Sequence, residues 1–236
     1  MELGDILSDA LVYPFHNIKA LLIYVILGII LGIAVGGTVF GMVASSEAHN
    51  VLAALGSGVI GVIIAIILGF FISGYQLDIV KYGIERSSAG PEVDFIRQFM
   101  NGFKYLIVSI VYMIVPAILS AIFGFIFSGW LSSVLSFIVA ILFALALMMG
   151  QCRLAKTDDI GYALSIGEAI GDISRVGFGK LIAFILLVVI IMIVLLLVVG
   201  LINNLNSTVG GILLGILGVY LTFFSARATG LLYSDV

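Results

Sequence analysis

The chain alternates between long apolar runs and shorter polar stretches. Six runs reach the ~20 residues that an α-helix needs to cross a bilayer, at about 20–44, 52–74, 105–128, 131–150, 181–202 and 208–226. The connectors within successive pairs of runs are short, whereas those at 75–104 and 151–180 are long and charged. This pattern predicts an all-α integral membrane protein in which six transmembrane helices form three hairpins.

An amphipathic segment precedes each hairpin. Apolar residues recur at helical spacing in DILSDALVYPF, DFIRQFMNGF and SIGEAIGDIS, with acidic residues opposite them. We predict that each segment is an interfacial helix whose apolar face lies among the lipid chains. The alternatives are a helix packed on the bundle and a plain extension of the spanning helix. A separate helix is favoured because Pro14, Gly102 or Gly177 stands between each segment and its span. The candidate interfacial anchors are Phe95, Phe99 and Phe103.

The three units match in their spacing. Lys19, Lys104 and Lys180 each stand just before an apolar run, and the step from Lys104 to Lys180 equals that from Gly74 to Gly150, at 76 residues. We therefore predict one membrane domain, 1–236, with sub-repeats at about 1–75, 91–151 and 163–228 around a pseudo-threefold axis along the membrane normal. The alternative is coincidence, because cytoplasmic termini and an even number of spans already place lysines before odd-numbered spans.

The positive charges indicate an orientation. All ten Lys and Arg residues lie in the N-terminal segment, the two long connectors or the C-terminal end. The positive-inside rule then predicts that both termini and both long connectors are cytoplasmic. We interpret Asp78, Lys81, Glu85 and Arg86, which recur at helical spacing, as a solvated end of the second spanning helix.

Small residues at four-residue spacing predict where helices approach closely in lipid. The fifth span has almost no small residues, so we expect it to face lipid, and Pro116 should kink the third span. A substrate path lined by bare backbone is the alternative role for the glycines. The candidate helix-packing residues are Gly28, Gly32, Gly36, Gly61, Gly69, Gly211, Gly215 and Pro116.

Composition and missing motifs narrow the function. Apolar residues make up 63% of the chain and charged residues 10%, and the mean hydropathy is +1.34, as in polytopic membrane proteins. A net charge of −3 gives no basic excess for nucleic acid. The six apolar runs contain no ionisable residue, which argues against a proton relay, a carboxylate-coupled transporter and a voltage sensor. With no phosphate-binding loop, HExxH helix or CxxC pair, we expect no catalytic residue, cofactor or metal site.

The stretch from Gly74 to Pro116 resembles a known family. Its features are GYQLDIVKYGIE, then PEVDFIRQFMNGFKYLIVSIVYMIVP, and the opening ALVYPFHNIKALLI. These are similar to archaeal polytopic membrane proteins of methanogens and haloarchaea, defined only as a domain of unknown function. The matching positions are Gly74, Tyr75, Phe95, Gly102, Lys104, Tyr112 and Pro116. The resemblance implies an archaeal plasma membrane and brings no activity or ligand.

These observations favour a non-enzymatic membrane protein with a structural, accessory or assembly-assisting role. The expected partners are membrane lipids and either further copies of the chain or other membrane protein subunits. The alternative is a passive channel or uncoupled carrier for a small or apolar solute. An enzyme acting on lipid is a third hypothesis, for which the sequence offers no nucleophile–base pair.

Overall fold

The computed structural model describes the backbone of residues 1–47, 51–205 and 207–236. Side chains are described within these ranges except at 36, 39–40, 43–47, 51–55, 57, 203–205, 207–212 and 214. The candidate packing residues Gly36 and Gly211 therefore lie outside the described side chains.

The described residues are helical and contain no strand. Two short loops, at 85–94 and 127–129, interrupt an otherwise nearly continuous series of helices. The helices are α1 (Leu3–His16), α2 (Ile18–Glu47), α3 (Val51–Ile84), α4 (Phe95–Ile126), α5 (Trp130–Thr157), α6 (Ile160–Ala163), α7 (Ile166–Val176), α8 (Phe178–Leu205) and α9 (Ser207–Tyr233).

Six of these helices, α2, α3, α4, α5, α8 and α9, are long and apolar enough to cross a membrane. The predicted all-α class with six spans is therefore confirmed. Consecutive spanning helices pack in pairs, α2 on α3, α4 on α5 and α8 on α9, and α3 also contacts α4, α5 and α9. The pseudo-threefold repeat stays a prediction.

Three spanning helices continue well beyond their apolar runs. The apolar runs of the second, fourth and sixth spans end near 74, 150 and 226, whereas α3 ends at Ile84, α5 at Thr157 and α9 at Tyr233. A helical continuation was predicted only for the second span, from the spacing of Asp78, Lys81, Glu85 and Arg86. The added turns contain charged residues that are stabilised by ion pairs with other helices. The long connectors are correspondingly shorter than the sequence predicted.

The second amphipathic segment is not a separate helix, so this prediction was wrong. Residues from Phe95 onward form the first turns of α4, which runs unbroken through Gly102 to Ile126. Gly102 lies against the α3 backbone at Phe70, where a Cβ would overlap the carbonyl group. The glycine therefore permits close packing of two helices and does not end one.

The first and third segments are separate helices, α1 and α7, and Gly177 forms the break before α8 with a φ of 93°. Pro14 does not form the first break, because it lies inside α1. The apolar faces of α1 and α7 are buried within the protein, as at Ile6 and Ile173, so placing them among the lipid chains was wrong and the alternative of a helix packed on the bundle holds.

Buried residues concentrate at one end of the bundle. Among the described side chains, α2 has no buried residue after Tyr24, α4 none after Tyr112, α5 none before Phe143 and α8 none after Phe184. We call the end that holds the buried core and the ion pairs the charged end, and the opposite part of the spanning helices the far half. In α8 only 6% of the span is buried, as expected for the lipid-facing fifth span, against 56% in α9.

Candidate functional site

The charged end contains three ion-paired joints, and each connects a spanning helix to an amphipathic segment. The most buried joint holds α5 to α7 through Arg153 and Asp172. The Arg153 guanidinium lies 3.0 Å from the Asp172 carboxylate, and the two side chains are 2% and 0% exposed. The Tyr233 hydroxyl of α9 donates to the same carboxylate at 2.6 Å. Arg153 also donates to the Tyr162 carbonyl at 3.1 Å and stacks over the Tyr162 ring. A buried charge pair is tolerated only when its remaining donors and acceptors are satisfied, which is the arrangement found here.

The second joint holds α9 to α1 through Arg227 and Asp9. Two guanidinium nitrogens of Arg227 lie 2.7 and 3.3 Å from the two Asp9 oxygens. The same side chain donates to the Tyr82 and Ser87 carbonyls at 3.2 and 2.7 Å, which cap the end of α3. The guanidinium also lies 4.8 Å from the centre of the Tyr13 ring. Arg227 thus joins α9, α1 and the loop that follows α3.

The third joint holds α3 to the first turn of α4, and here the carboxylate comes from the spanning helix. The Asp78 carboxylate accepts from Arg97 at 3.1 Å, from Gln98 at 3.5 Å and from Asn101 at 2.9 Å. Asp78 is 6% exposed, so our interpretation of this stretch as a solvated helical end was wrong for Asp78. Its neighbour Lys81 is exposed, as that interpretation expected.

The three joints connect consecutive predicted units in the same way. The spanning helix that ends one predicted unit is paired with the amphipathic segment of the next unit: α3 with the start of α4, α5 with α7, and α9 with α1. This order is the one that a three-unit ring would require. The sign of the charges is reversed in the joint between Asp78 and Arg97, so the units are not equivalent in chemistry.

Tyrosines add further hydrogen bonds between helices at the charged end. Tyr24 of α2 donates to the Gln98 side chain at 2.7 Å, Tyr112 of α4 to the Ala163 carbonyl at 2.8 Å, and Tyr220 of α9 to the Leu11 carbonyl at 2.7 Å. A tyrosine suits this position because its ring is buried while its hydroxyl requires a partner. The spanning helices are therefore held to the amphipathic segments by directional contacts as well as by burial.

One tyrosine hydroxyl is an exception. Tyr13 of α1 is 2% exposed, and its hydroxyl has no hydrogen-bond partner among the described residues. Burial raises the pKa of Tyr13 to about 12, although the nearby Arg227 charge acts in the opposite direction. The folded protein therefore holds this phenol in its neutral form.

The candidate packing glycines fall into two groups. A Cβ at Gly61 would overlap the Thr38 side chain of α2, and one at Gly28 would lie 3.1 Å from Val219 of α9. A Cβ at Gly32, Gly69 or Gly215 would meet no atom of the described residues within 4 Å. The described part of the chain therefore offers no contact that supports a packing role at these three glycines. Close contacts between helix backbones are found at glycines outside the candidate set, where Gly74 and Gly102 bring α3 against α4, and Gly83 meets Gly230 of α9.

The three candidate anchors lie on one side of the first turns of α4. The ring of Phe99 makes aromatic contacts with Phe70 and Phe71 of α3, at centroid distances of 5.2 and 5.8 Å. Phe95 and Phe103 also contact these two rings but remain 45% and 46% exposed. Their apolar surface is thus shared between α3 and the surroundings. Pro116 lies inside α4, which continues past it to Ile126.

Sequence reasoning noticed several of these charged residues but missed their pairing. A signal was available in the third segment, because Asp172 is three residues after Ala169 and directly precedes Ile173, on the apolar stripe. An acid on the buried face of an amphipathic helix requires a cationic partner. The identity of that partner depends on which helices meet, which local pattern does not show.

Comparisons with known proteins give a family without an assigned role. The family model described as "Protein of unknown function (DUF4013)" matches residues 57–204, which is more than half of the chain. No curated protein matches, and no solved structure matches.

Proposed function

We propose a structural role in the membrane for this chain, which belongs to the DUF4013 family of proteins of unknown function. In this role the charged end acts as a rigid clamp that holds three helix pairs, and the far halves of the helices provide an apolar surface for other membrane components. Those components are further copies of the chain or the spanning helices of other subunits. No chemical step is required of the protein.

The observation that carries this proposal is the uneven distribution of burial. Fixed charge pairs and buried tyrosines occupy the charged end, whereas large apolar side chains of the far half remain exposed. Phe125 is 93% exposed, Trp130 is 76% exposed and Leu201 is 67% exposed. In lipid such surfaces associate through shape and close packing, with no hydrophobic force between helices. Because the clamp already fixes the helices relative to one another, they lose less conformational entropy when a partner packs against them.

The test is site-specific photo-crosslinking in native membranes. A photoreactive residue at Phe125 in the far half should give discrete protein adducts, and a matched one at the exposed Ser174 of α7 should give none. Tagged and untagged copies distinguish a homo-oligomer from another subunit. Adducts to lipid alone at Phe125, or equal protein adducts at both positions, would contradict the proposal.

A groove between α4 and α5 favours the second candidate, a passive carrier for an apolar solute. Its volume is about 410 Å³, within the range of ligand-binding cavities. It is lined by Tyr112, Met113, Pro116, Ala117, Ser120, Ala140, Phe143, Ala144 and Leu147. If this candidate holds, proteoliposomes should pass an apolar dye faster than empty vesicles, and Ala140→Phe should abolish the difference. Flux equal to that of empty vesicles would exclude the carrier.

The location proposed for the protein is an archaeal plasma membrane with both termini in the cytoplasm. The sequence resemblance supports the first part, and the restriction of positive charge to one end supports the second. A cysteine at the exposed Ser88 should react with a membrane-impermeant reagent only after the membrane is opened. The native Cys152 is fully buried and gives no background. Labelling of position 88 in intact cells would reverse the orientation.

A further inference from the structure

The three lysines that precede the odd-numbered spans differ in their partners. The Lys104 ammonium lies 2.6 Å from Asp158, which follows α5, and the Lys180 ammonium lies 3.5 Å from Asp235, which follows α9. Within the part of the chain that the structure describes, Lys19 has no carboxylate partner.

The loops after α3 and α5 differ in charge. Asp158 directly follows α5 and has a φ of 58°. The residue with a positive φ after α3 is Arg86, at 52° and one position further from the helix end, and its side chain pairs with Asp235. The positive-φ residue of the loop after α3 is thus a base, whereas that of the loop after α5 is the acid that pairs with Lys104.

The Lys19 side chain instead lines a pocket of about 560 Å³. One wall comes from the junction of α1 and α2, and the other from the loop that leads into α4. The pocket is lined by Asn17, Lys19, Ala20, Ile23, Gly90, Pro91, Glu92, Val93 and Phe95. Lys19 and Glu92 are both exposed and do not pair with each other, while Ile23, Val93 and Phe95 provide an apolar part.

The wall of this pocket is held in place. The Asn17 amide donates to the Tyr75 hydroxyl at 2.7 Å, and that hydroxyl donates to the Pro91 carbonyl at 3.1 Å. Gly90 lies so close to the Asn17 side chain that a Cβ there would overlap it. The Glu92 carbonyl accepts from Arg97 and Gln98 at 2.8 and 3.2 Å. The loop is therefore fixed to α3, to α4 and to Asn17 at the junction of α1 and α2.

The pocket lies at the depth of the lipid headgroups, because Lys19 is the second residue of the first spanning segment. A lysine here extends its ammonium toward the headgroup region. A phosphate diester would pair with Lys19, a primary ammonium on the same headgroup would pair with Glu92, and a lipid chain would lie along Ile23 and Phe95.

We propose that the pocket between Lys19 and Glu92 binds a phospholipid with a primary amine in its headgroup, of the phosphoethanolamine type. The opposite charges on two separate walls match the two charges of such a headgroup. A headgroup with a phosphate alone would leave Glu92 unpaired, and a trimethylated amine could not donate a hydrogen bond to it.

The experiment measures lipid retention on the full chain. The protein is purified in detergent, incubated with equimolar phosphatidylethanolamine, phosphatidylglycerol and phosphatidylcholine, and examined by native mass spectrometry. We expect phosphatidylethanolamine to be retained preferentially, and Lys19→Gln to lower its retention about fivefold. Lys81→Gln, which removes an exposed lysine from another part of the charged end, should retain the wild-type level.

Glu92→Gln provides the sharper test, because it should shift the preference from phosphatidylethanolamine to phosphatidylglycerol. All three substitutions are at exposed side chains, so an unchanged thermal midpoint verifies folding. Equal retention by wild type and Lys19→Gln would overturn the proposal, as would an unchanged preference in Glu92→Gln. Displacement of bound lipid by millimolar inorganic phosphate would show a site for free phosphate and would also overturn it.

Discussion

The two ends of this helical bundle are built on different principles. At the charged end, Arg153 and Asp172 form a fully buried ion pair, the other two joints each bury one charged partner, and glycines bring helix backbones together. In the far half, helices made of Ile, Leu, Val and Phe leave most side chains exposed. Apolar side chains gain little by leaving lipid for protein, so directional polar contacts outside the hydrocarbon have to hold the bundle. The stability of the fold should therefore depend on the charged end.

The largest effect should follow from breaking the most buried joint. Arg153→Met removes the only fully buried cation beside the Asp172 carboxylate, which then keeps the half-exposed Arg175 guanidinium at 2.7 Å and the Tyr233 hydroxyl at 2.6 Å. We expect a loss of about 3 kcal/mol in the free energy of unfolding, the lower end of the cost of breaking a buried ion pair. The measurement is unfolding by a denaturing detergent in mixed micelles. Arg97→Met should cost less, since Arg97 is half exposed and Asp78 keeps Gln98 and Asn101. Equal losses of stability in both variants would contradict the expectation that the more buried ion pair costs more to break.

Two glycines of α4 allow the two ends to be compared within one helix. Gly102→Ala should destabilise by about 1–3 kcal/mol, because the added methyl overlaps the Phe70 backbone. Gly124 is in the far half, and a Cβ there would meet no atom of the described residues within 4 Å. Gly124→Ala should therefore stabilise the protein by up to about 1 kcal/mol through helix propensity. The same unfolding assay applies. A Gly124 variant as damaged as the Gly102 variant would show that the far half is packed by contacts outside this chain.

A smaller effect is expected at the start of α4. The Asp94 carboxylate caps this helix by accepting from the Ile96 and Arg97 amides, both at 3.1 Å. Asp94→Ala should cost about 1 kcal/mol, whereas Asp94→Ser keeps a capping oxygen and should cost clearly less. If alanine and serine behave alike, the capping hydrogen bonds contribute nothing measurable.

The smallest effect at neutral pH should come from Tyr13→Phe, which removes a buried hydroxyl that has no partner in the described structure. Stability should be unchanged or slightly raised. Burial raises the pKa of Tyr13 from 10.0 to about 12 in the folded protein. Between these two pH values the phenol ionises in the unfolded chain but stays neutral in the folded one, so ionisation of Tyr13 lowers the free energy of unfolding as the pH rises from 10 toward 12. Unfolding curves from pH 8 to 12 should therefore decline less steeply for the phenylalanine variant. If the two proteins lose stability in parallel as the pH rises, ionisation of Tyr13 does not contribute to the loss at high pH.

The sequence predicted the membrane class and the six spans because a run of about 20 apolar residues is a local property. It also predicted α1 and α7 as separate amphipathic helices, but it placed their apolar faces in lipid, whereas these faces are buried within the protein. The prediction for Gly102 was wrong, because the sequence alone does not distinguish a glycine that ends a helix from one that allows another helix to pack closely. The joints were missed for a related reason, since Asp9 and Arg227 are 218 positions apart. Such a pair is determined by the packing of whole helices.

That separation has a consequence for synthesis. Asp9 enters its pair only after α9 has been made, so most of the chain is inserted while α1 is without its main ionic contact to α9. The joint between Asp78 and Arg97 joins residues only 19 positions apart and can form early. Assembly should therefore proceed from α3 and α4 outward, and the docking of α1 against α9 should be the last step. A chain interrupted before α9 would leave α1 free on the membrane surface, where quality-control proteases could recognise it.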